Sequence, residues 1–131
     1  MIEKRREAPP KVDPKLKARP KVRQLYWCKF PLDAQLPEFW KTRPVIIVSH
    51  NNSLYGSVTV IACSTMPQKG NKWAYELKNT IDGRAAWAIC DKPTTIAVSR
   101  LTQDKNGIKR VTEDDFNGLL SLMLQWIPCP R

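Results

Sequence analysis

Arg43 stands where Thr42-Arg43-Pro44 passes into the β-branched run Val45-Ile46-Ile47-Val48-Ser49. An arginine at the mouth of a rigid strand offers a planar, permanently charged fork that matches a pair of phosphate oxygens. A second β-branched run, Ser57-Val58-Thr59-Val60-Ile61-Ala62-Cys63, ends at Ser64-Thr65, just before a polar loop. A hydroxyl placed there can face a ligand while the strand fixes its position, holding a phosphate oxygen or the attacking group. Asp91, in Asp91-Lys92-Pro93, adds a carboxylate after a third apolar stretch. Each also has a plainer use: Arg43 in a surface salt bridge, Thr65 bonded to its own backbone in a turn, Asp91 as the cap of its turn. Residue type alone leaves both readings open.

Phe39 and Trp40 are large apolar groups in a stretch without strand pattern. Aromatic faces stack unpaired bases at about 1–3 kcal/mol each, and the same rings can plug a core or meet a second subunit. His50, the single histidine, stands at a turn, as a turn residue or as a base. Cys28, Cys63, Cys90 and Cys129 are widely spaced, with no CxxC pair. Zinc is therefore not expected, and the first three cysteines, in or beside strand-like runs, read as small buried hydrophobes without disulfides. No metal or cofactor is expected.

The positioning elements come from 131 residues, 42% hydrophobic and 26% charged, which suits one domain with a real core. No uncharged apolar stretch approaches the roughly 18 residues of a spanning helix, so no membrane partner is expected. The charged start, Met1-Ile2-Glu3-Lys4-Arg5-Arg6, leads to Pro9-Pro10 without an apolar signal core, and the expected compartment is the cytoplasm. The net charge is +10, and residues 1–23 hold nine Lys and Arg against three acids. Such a balance favours polyanion partners, nucleic acid first, and equally suits a solvated tail. With Pro9, Pro10, Pro14 and Pro20 and few large apolar groups, residues 1–23 read as a basic, Pro-rich flexible tail ahead of a domain over 24–131.

Leu25-Tyr26-Trp27-Cys28-Lys29-Phe30 is an aromatic strand stopped by Pro31, and residues 31–42 form an irregular loop. The runs 44–49 and 57–63 predict two adjacent strands; shorter ones follow at 73–77, 85–90, 94–98 and 108–111, the last after the hairpin signal Asn106-Gly107. One helix closes the chain: Thr112 can cap it, Asp115 lies three residues on, and Phe116, Leu119, Leu120, Met123, Leu124 and Ile127 form an apolar stripe for the core or an oligomer contact before Pro128. Many short strands with one closing helix predict a mainly β fold, a small, strongly bent barrel of mixed sheet.

The order of these blocks resembles the MazF/PemK family of type II toxin–antitoxin endoribonucleases. The likeness rests on Thr42-Arg43-Pro44-Val45-Ile46-Ile47-Val48-Ser49, Ala62-Cys63-Ser64-Thr65, Ile89-Cys90-Asp91-Lys92-Pro93, Ser99-Arg100-Leu101 and Val111-Thr112-Glu113-Asp114-Asp115-Phe116, and covers residues 24–127. It implies a small SH3-like β-barrel of the MazF/CcdB toxin type. It also implies a homodimer that cuts single-stranded RNA without a metal and is silenced by a cognate antitoxin. Such cleavage needs a base for the 2′-hydroxyl, a cation for the charge on phosphorus and an acid for the leaving 5′-oxygen.

On this resemblance the catalytic residues are Arg43, Thr65 and Asp91, and those assigned to the RNA are Trp40, Lys41, His50, Ser64, Lys69 and Lys92. The chain departs from the family pattern in several places. Arg23-Gln24 replaces a Gly-Asp before the first strand, the loop before Arg43 reads Asp33-Ala34-Gln35-Leu36-Pro37-Glu38, and Ile89 and Lys92 stand for a basic residue and a Gln. Two rival readings share the fold: a non-catalytic SH3-like module that binds nucleic acid or protein, and a gyrase-directed toxin.

Overall fold

The computed structural model describes residues 7–79, 81 and 83–130. The β-branched and aromatic runs become β1 (Gln24–Lys29), β2 (Thr42–Ile47) and β3 (Ser57–Ser64), followed by the short strands β4 (Ala74–Glu76), β5 (Trp87–Ile89), β6 (Thr94–Ala97), β7 (Leu101–Thr102) and β8 (Lys109–Arg110). A 3₁₀ turn at Val98–Arg100 precedes β7, and helix α1 (Glu113–Trp126) closes the fold. The strand order is β4-β5-β3-β2-β1-β7, with β6 on β3 and β8 on β1.

Every named strand pairing is antiparallel, which corrects the expectation of a mixed sheet. Parallel neighbours need a crossover, usually through a helix, and here loops and turns join the strands. The curl comes from β3, whose start pairs β6 and whose middle, Val60 to Ala62, pairs β2, while Cys63 and Ser64 cross to β5. The result is a mainly β, curled antiparallel half-barrel with one C-terminal helix.

Alternation along β2 and β3 serves two cores. Val45, Ile47, Val58, Val60 and Ala62 pack inside the curl with Tyr26, Cys28, Phe30 and Leu101. Ile46, Ile61 and Cys63 face the other way, into a cluster with Leu77, Ala88, Val111 and Leu119 of α1. Burial on both faces explains why these strands read as continuous apolar runs rather than as alternating ones. Of the helix stripe, Leu119 is fully buried and Phe116, Leu120 and Met123 pack beside it, while Leu124 and Ile127 stay exposed. Among the described residues no helix is long and apolar enough to cross a membrane.

The start of α1 is tied from two sides by polar groups. Thr112 caps α1, its hydroxyl accepting from the Asp115 N–H at 3.2 Å. The Asp115 carboxylate turns inward, is buried, and accepts from the Tyr75 hydroxyl at 3.1 Å and from the N–H groups of Lys78 and Asn79 at 3.1 and 3.3 Å. Gly118 lets α1 approach Tyr75, since a Cβ there would collide with the ring. On the other side of the same cap Arg23 takes φ 75°, the left-handed region that glycine adopts freely. It is held by its backbone N–H to Ile47 O, by Nε to Val111 O at 3.1 Å, and by an ion pair with Glu113.

The segment expected as a flexible tail departs from that reading in its second half. Residues 7–20 contain no helix or strand, but Leu16 joins the inner core and Pro20 is buried. Lys15 Nζ donates to Ser99 O at 3.2 Å and Arg19 to Asn52 O at 3.3 Å. Burying one leucine is worth about 1.5–3 kcal/mol, and it anchors the segment together with the buried Pro20 and these two side-chain hydrogen bonds. Residues 1–6 of the expected tail lie outside the described residues.

Candidate active site

At the end of the sheet where β2 begins and β3 ends, a solvent-open cleft of about 450 Å³ is lined by Trp27, Lys41, Thr42, Arg43, Ser64, Thr65, Met66 and Arg84. The β2–β3 register, Val45 against Ala62, carried two residues further sets Arg43 across from Ser64, with Thr65 next in the chain. A rigid antiparallel pair thus brings together two groups far apart in sequence. Arg43 Nε donates to Trp40 O at 3.3 Å, and its guanidinium carbon lies 5.3 Å from the Phe39 ring centre. Phe39 packs against the inner core, with its ring 5.5 Å from that of Phe30. The arginine is therefore braced from behind by loop 31–41, while its two terminal nitrogens make no hydrogen bond among the described residues.

Thr65 is exposed at the rim, and the Ser64 hydroxyl accepts from the Met66 N–H at 3.1 Å, which shapes the turn after β3. Lys41 and Arg84 add positive charge to the walls, so the cleft attracts a phosphate backbone before any contact forms. Cys63 also lines it, but burial pushes this thiol up to about 12, with Cys90 nearby adding to the effect. At neutral pH Cys63 stays protonated and is a wall, not a nucleophile.

The other residues singled out from sequence lie elsewhere. Trp40 is half-exposed beside the cleft, with the Lys41 ammonium 5.5 Å from its ring centre. Lys92 reaches across from the β5–β6 turn to donate to Pro37 O at 3.2 Å and lies 5.3 Å from the Phe39 ring centre, so it braces the same loop as Arg43. Asp91 sits beside it, outside the cleft lining, and its Oδ1 is buried without a hydrogen-bond partner. Lys69 is exposed in the loop between β3 and β4, also off the cleft. His50 follows the far end of β2, and at about 3.3 Å per residue that is roughly 20 Å from Arg43.

Sequence reasoning missed Trp27 and Arg84. Trp27 was visible in the aromatic first run, but only the pairing of Trp27 with Pro44 shows that its ring faces outward, where Nε1 donates to Asp104 at 3.3 Å. Arg84 follows Gly83 and bridges Ile81; its only signal was the turn at Asp82-Gly83. Among the described residues no three His, Cys, Asp or Glu side chains come together as a metal site would need.

Residues 21–126 match the sequence model of the PemK-like, MazF-like toxins of type II toxin–antitoxin systems. The chain belongs to this family. Solved structures share the fold of this MazF-like toxin. An endoribonuclease in complex with its cognate antitoxin, from a mycobacterial species, is 17% identical with a TM-score of 0.61, covering 86% of this chain and 100% of that one. MazF from Deinococcus radiodurans is 15% identical with a TM-score of 0.66, covering 81% and 94%. The toxin MazF-mt6 of Mycobacterium tuberculosis is 20% identical with a TM-score of 0.59, covering 79% and 95%. No curated protein matches the chain. The MazF-like match begins just before β1 and ends with the last residue of α1, which leaves the docked segment 7–20 outside it.

Proposed function

We propose that this toxin is a metal-independent endoribonuclease that cleaves single-stranded RNA, acts as a homodimer and is silenced by a cognate antitoxin. The observation that carries the reading is the meeting of Arg43 and Thr65 in one cationic cleft at the open end of the β2–β3 pair. The Arg43 fork is braced to take the non-bridging oxygens of the scissile phosphate, where charge grows as the 2′-hydroxyl attacks. The Thr65 hydroxyl is assigned to a phosphate oxygen or the attacking hydroxyl, and Lys41 and Arg84 to the flanking backbone. Asp91 stands outside the cleft lining, next in the chain to the Lys92 that braces the loop behind Arg43, and is assigned no step of the cut.

Purified protein is expected to cut single-stranded RNA in the presence of EDTA. Binding without cleavage would turn the reading to a non-catalytic module of the same fold. Thr65→Val removes the hydroxyl and keeps the branched shape. A hydrogen bond to a charged group is worth about 1.5–3 kcal/mol, so its loss is expected to slow turnover by about 10–100-fold. Stability, read by thermal melting, should change by less than about 0.5 kcal/mol because Thr65 is exposed. Unchanged turnover per folded molecule would remove the hydroxyl from the chemistry.

A further inference from the structure

The segment outside the family match does more than dock. It forms one wall of a groove of about 730 Å³ whose other wall is the barrel. Lys11 and Lys15 project from the segment, Lys29 and Arg100 from the barrel, and Asp33 is the one acid in the lining. Lys15 and Arg100 each donate to a backbone carbonyl, of Ser99 and Lys29, which orients them and leaves their charge uncompensated. The Lys11 and Lys29 ammonium groups make no hydrogen bond or ion pair among the described residues. Tyr55, 66% exposed, stands in the same lining. Cations along a trough with an open aromatic face are the combination that tracks a single-stranded backbone and stacks its bases.

The groove adjoins the cleft. Lys29, the last residue of β1, is the ladder partner of Thr42, the first residue of β2. Opposed residues in an antiparallel pair lie about 5 Å apart with side chains on one face. Thr42 lines the cleft and Lys29 lines the groove, so the two concavities meet across one ladder step. Leu16, seated in the inner core, holds the added wall in place.

We infer that this groove is a second RNA-binding site, in which the extension 7–15 and the barrel hold the nucleotides that run out of the cleft on one side of the scissile bond. The inference rests on the reading of the cleft as an RNA-cleaving site. It makes the extension a length sensor: RNA that only fills the cleft gains nothing from it, and longer RNA gains phosphate contacts and a stacked base.

The test uses the full chain and its Lys11→Gln/Lys29→Gln variant, since neither lysine holds the fold together. Binding is read by fluorescence anisotropy with 2′-O-methylated, uncleavable RNAs of about five and about twelve nucleotides, within the span of known single-strand sites. Both proteins are expected to bind the short RNA equally. The variant should bind the long one about tenfold or more weakly at 0.1 M salt, with a log–log salt slope flatter by about 1.4 for two lost phosphate contacts. Lys11→Arg/Lys29→Arg should bind like the wild type. Equal affinity of variant and wild type for the long RNA overturns the inference, as does equal loss on both lengths. Unchanged RNA binding with weakened capture of an acidic peptide also overturns it and assigns the groove to a protein partner. Cleavage of a short, unmodified RNA by the wild type reads the nuclease assignment separately, so failure of one is not mistaken for failure of the other.

Discussion

Arg43→Ala is expected to lower RNA cleavage by about 10²–10³-fold, the loss that follows removal of one preorganised donor aimed at developing charge. The geometry explains why so much rests on one side chain. Nε is occupied by Trp40 O and the guanidinium carbon faces Phe39, which leaves the two terminal nitrogens as a ready pair of parallel donors. A lysine cannot reproduce that pair, so Arg43→Lys should recover only a small part of the rate while keeping the charge. RNA binding should weaken far less, by about fivefold for one phosphate contact near 0.1 M salt. Cleavage assays and anisotropy on the same preparation separate the two effects. A folded Arg43→Ala protein with near-normal cleavage would take this residue out of the mechanism.

The largest loss of stability is expected from Asp115→Ala. Its buried carboxylate is the shared acceptor for the Tyr75 hydroxyl and for two consecutive backbone N–H groups after β4. Removing it leaves three partly buried donors without their acceptor, at a cost of about 3 kcal/mol. For a domain of this size that lowers Tm by about 10 °C or more. Asp115→Asn keeps the shape and one acceptor and should lose about half as much. The clamped stretch leads into Ile81 and Arg84 of the cleft, so the residual activity of folded Asp115→Asn protein should fall as well. Thermal melting checks the first effect and turnover per folded molecule the second; a variant as stable as the wild type would show that the carboxylate is dispensable.

Much of the frame was legible in the sequence because it rests on local chemistry. The runs that became β1, β2 and β3 are β-branched or aromatic and stop at Pro, Asn or Gly, and the Thr112 cap with its apolar stripe predicted α1. β7, at Leu101–Thr102, is too short to show a period. Asp115 illustrates a deeper limit. An acid three residues after a capping threonine reads as part of the cap, and only the approach of β4 to α1 turns its carboxylate inward. Leu16 is one leucine among prolines and lysines, so its burial depends on a cavity that the rest of the chain builds. In the site, Arg43 and Thr65 stood at strand ends, where β pairing joins them. His50, closer to Arg43 in sequence than Thr65 is, was carried away by the straight rise of β2. Arg84 enters the cleft through a turn whose direction no local pattern encodes.

The place of β1 has a consequence for how the protein is made. Gln24 pairs with Arg110 and Trp27 with Thr102, while the strained Arg23 leans on Val111 and Glu113, at the threshold of α1. At about 5–20 residues per second, the ribosome takes roughly 4.5–18 s to travel from Arg23 to Glu113. Once Thr65 has been made, the nascent chain holds Arg43 and Thr65 but still lacks the strands that flank β1 and the helix that covers Ile46 and Ile61. The residues that line the cleft are thus made early, while the strands on either side of β1 and the helix that packs behind β2 and β3 come only when translation is nearly over.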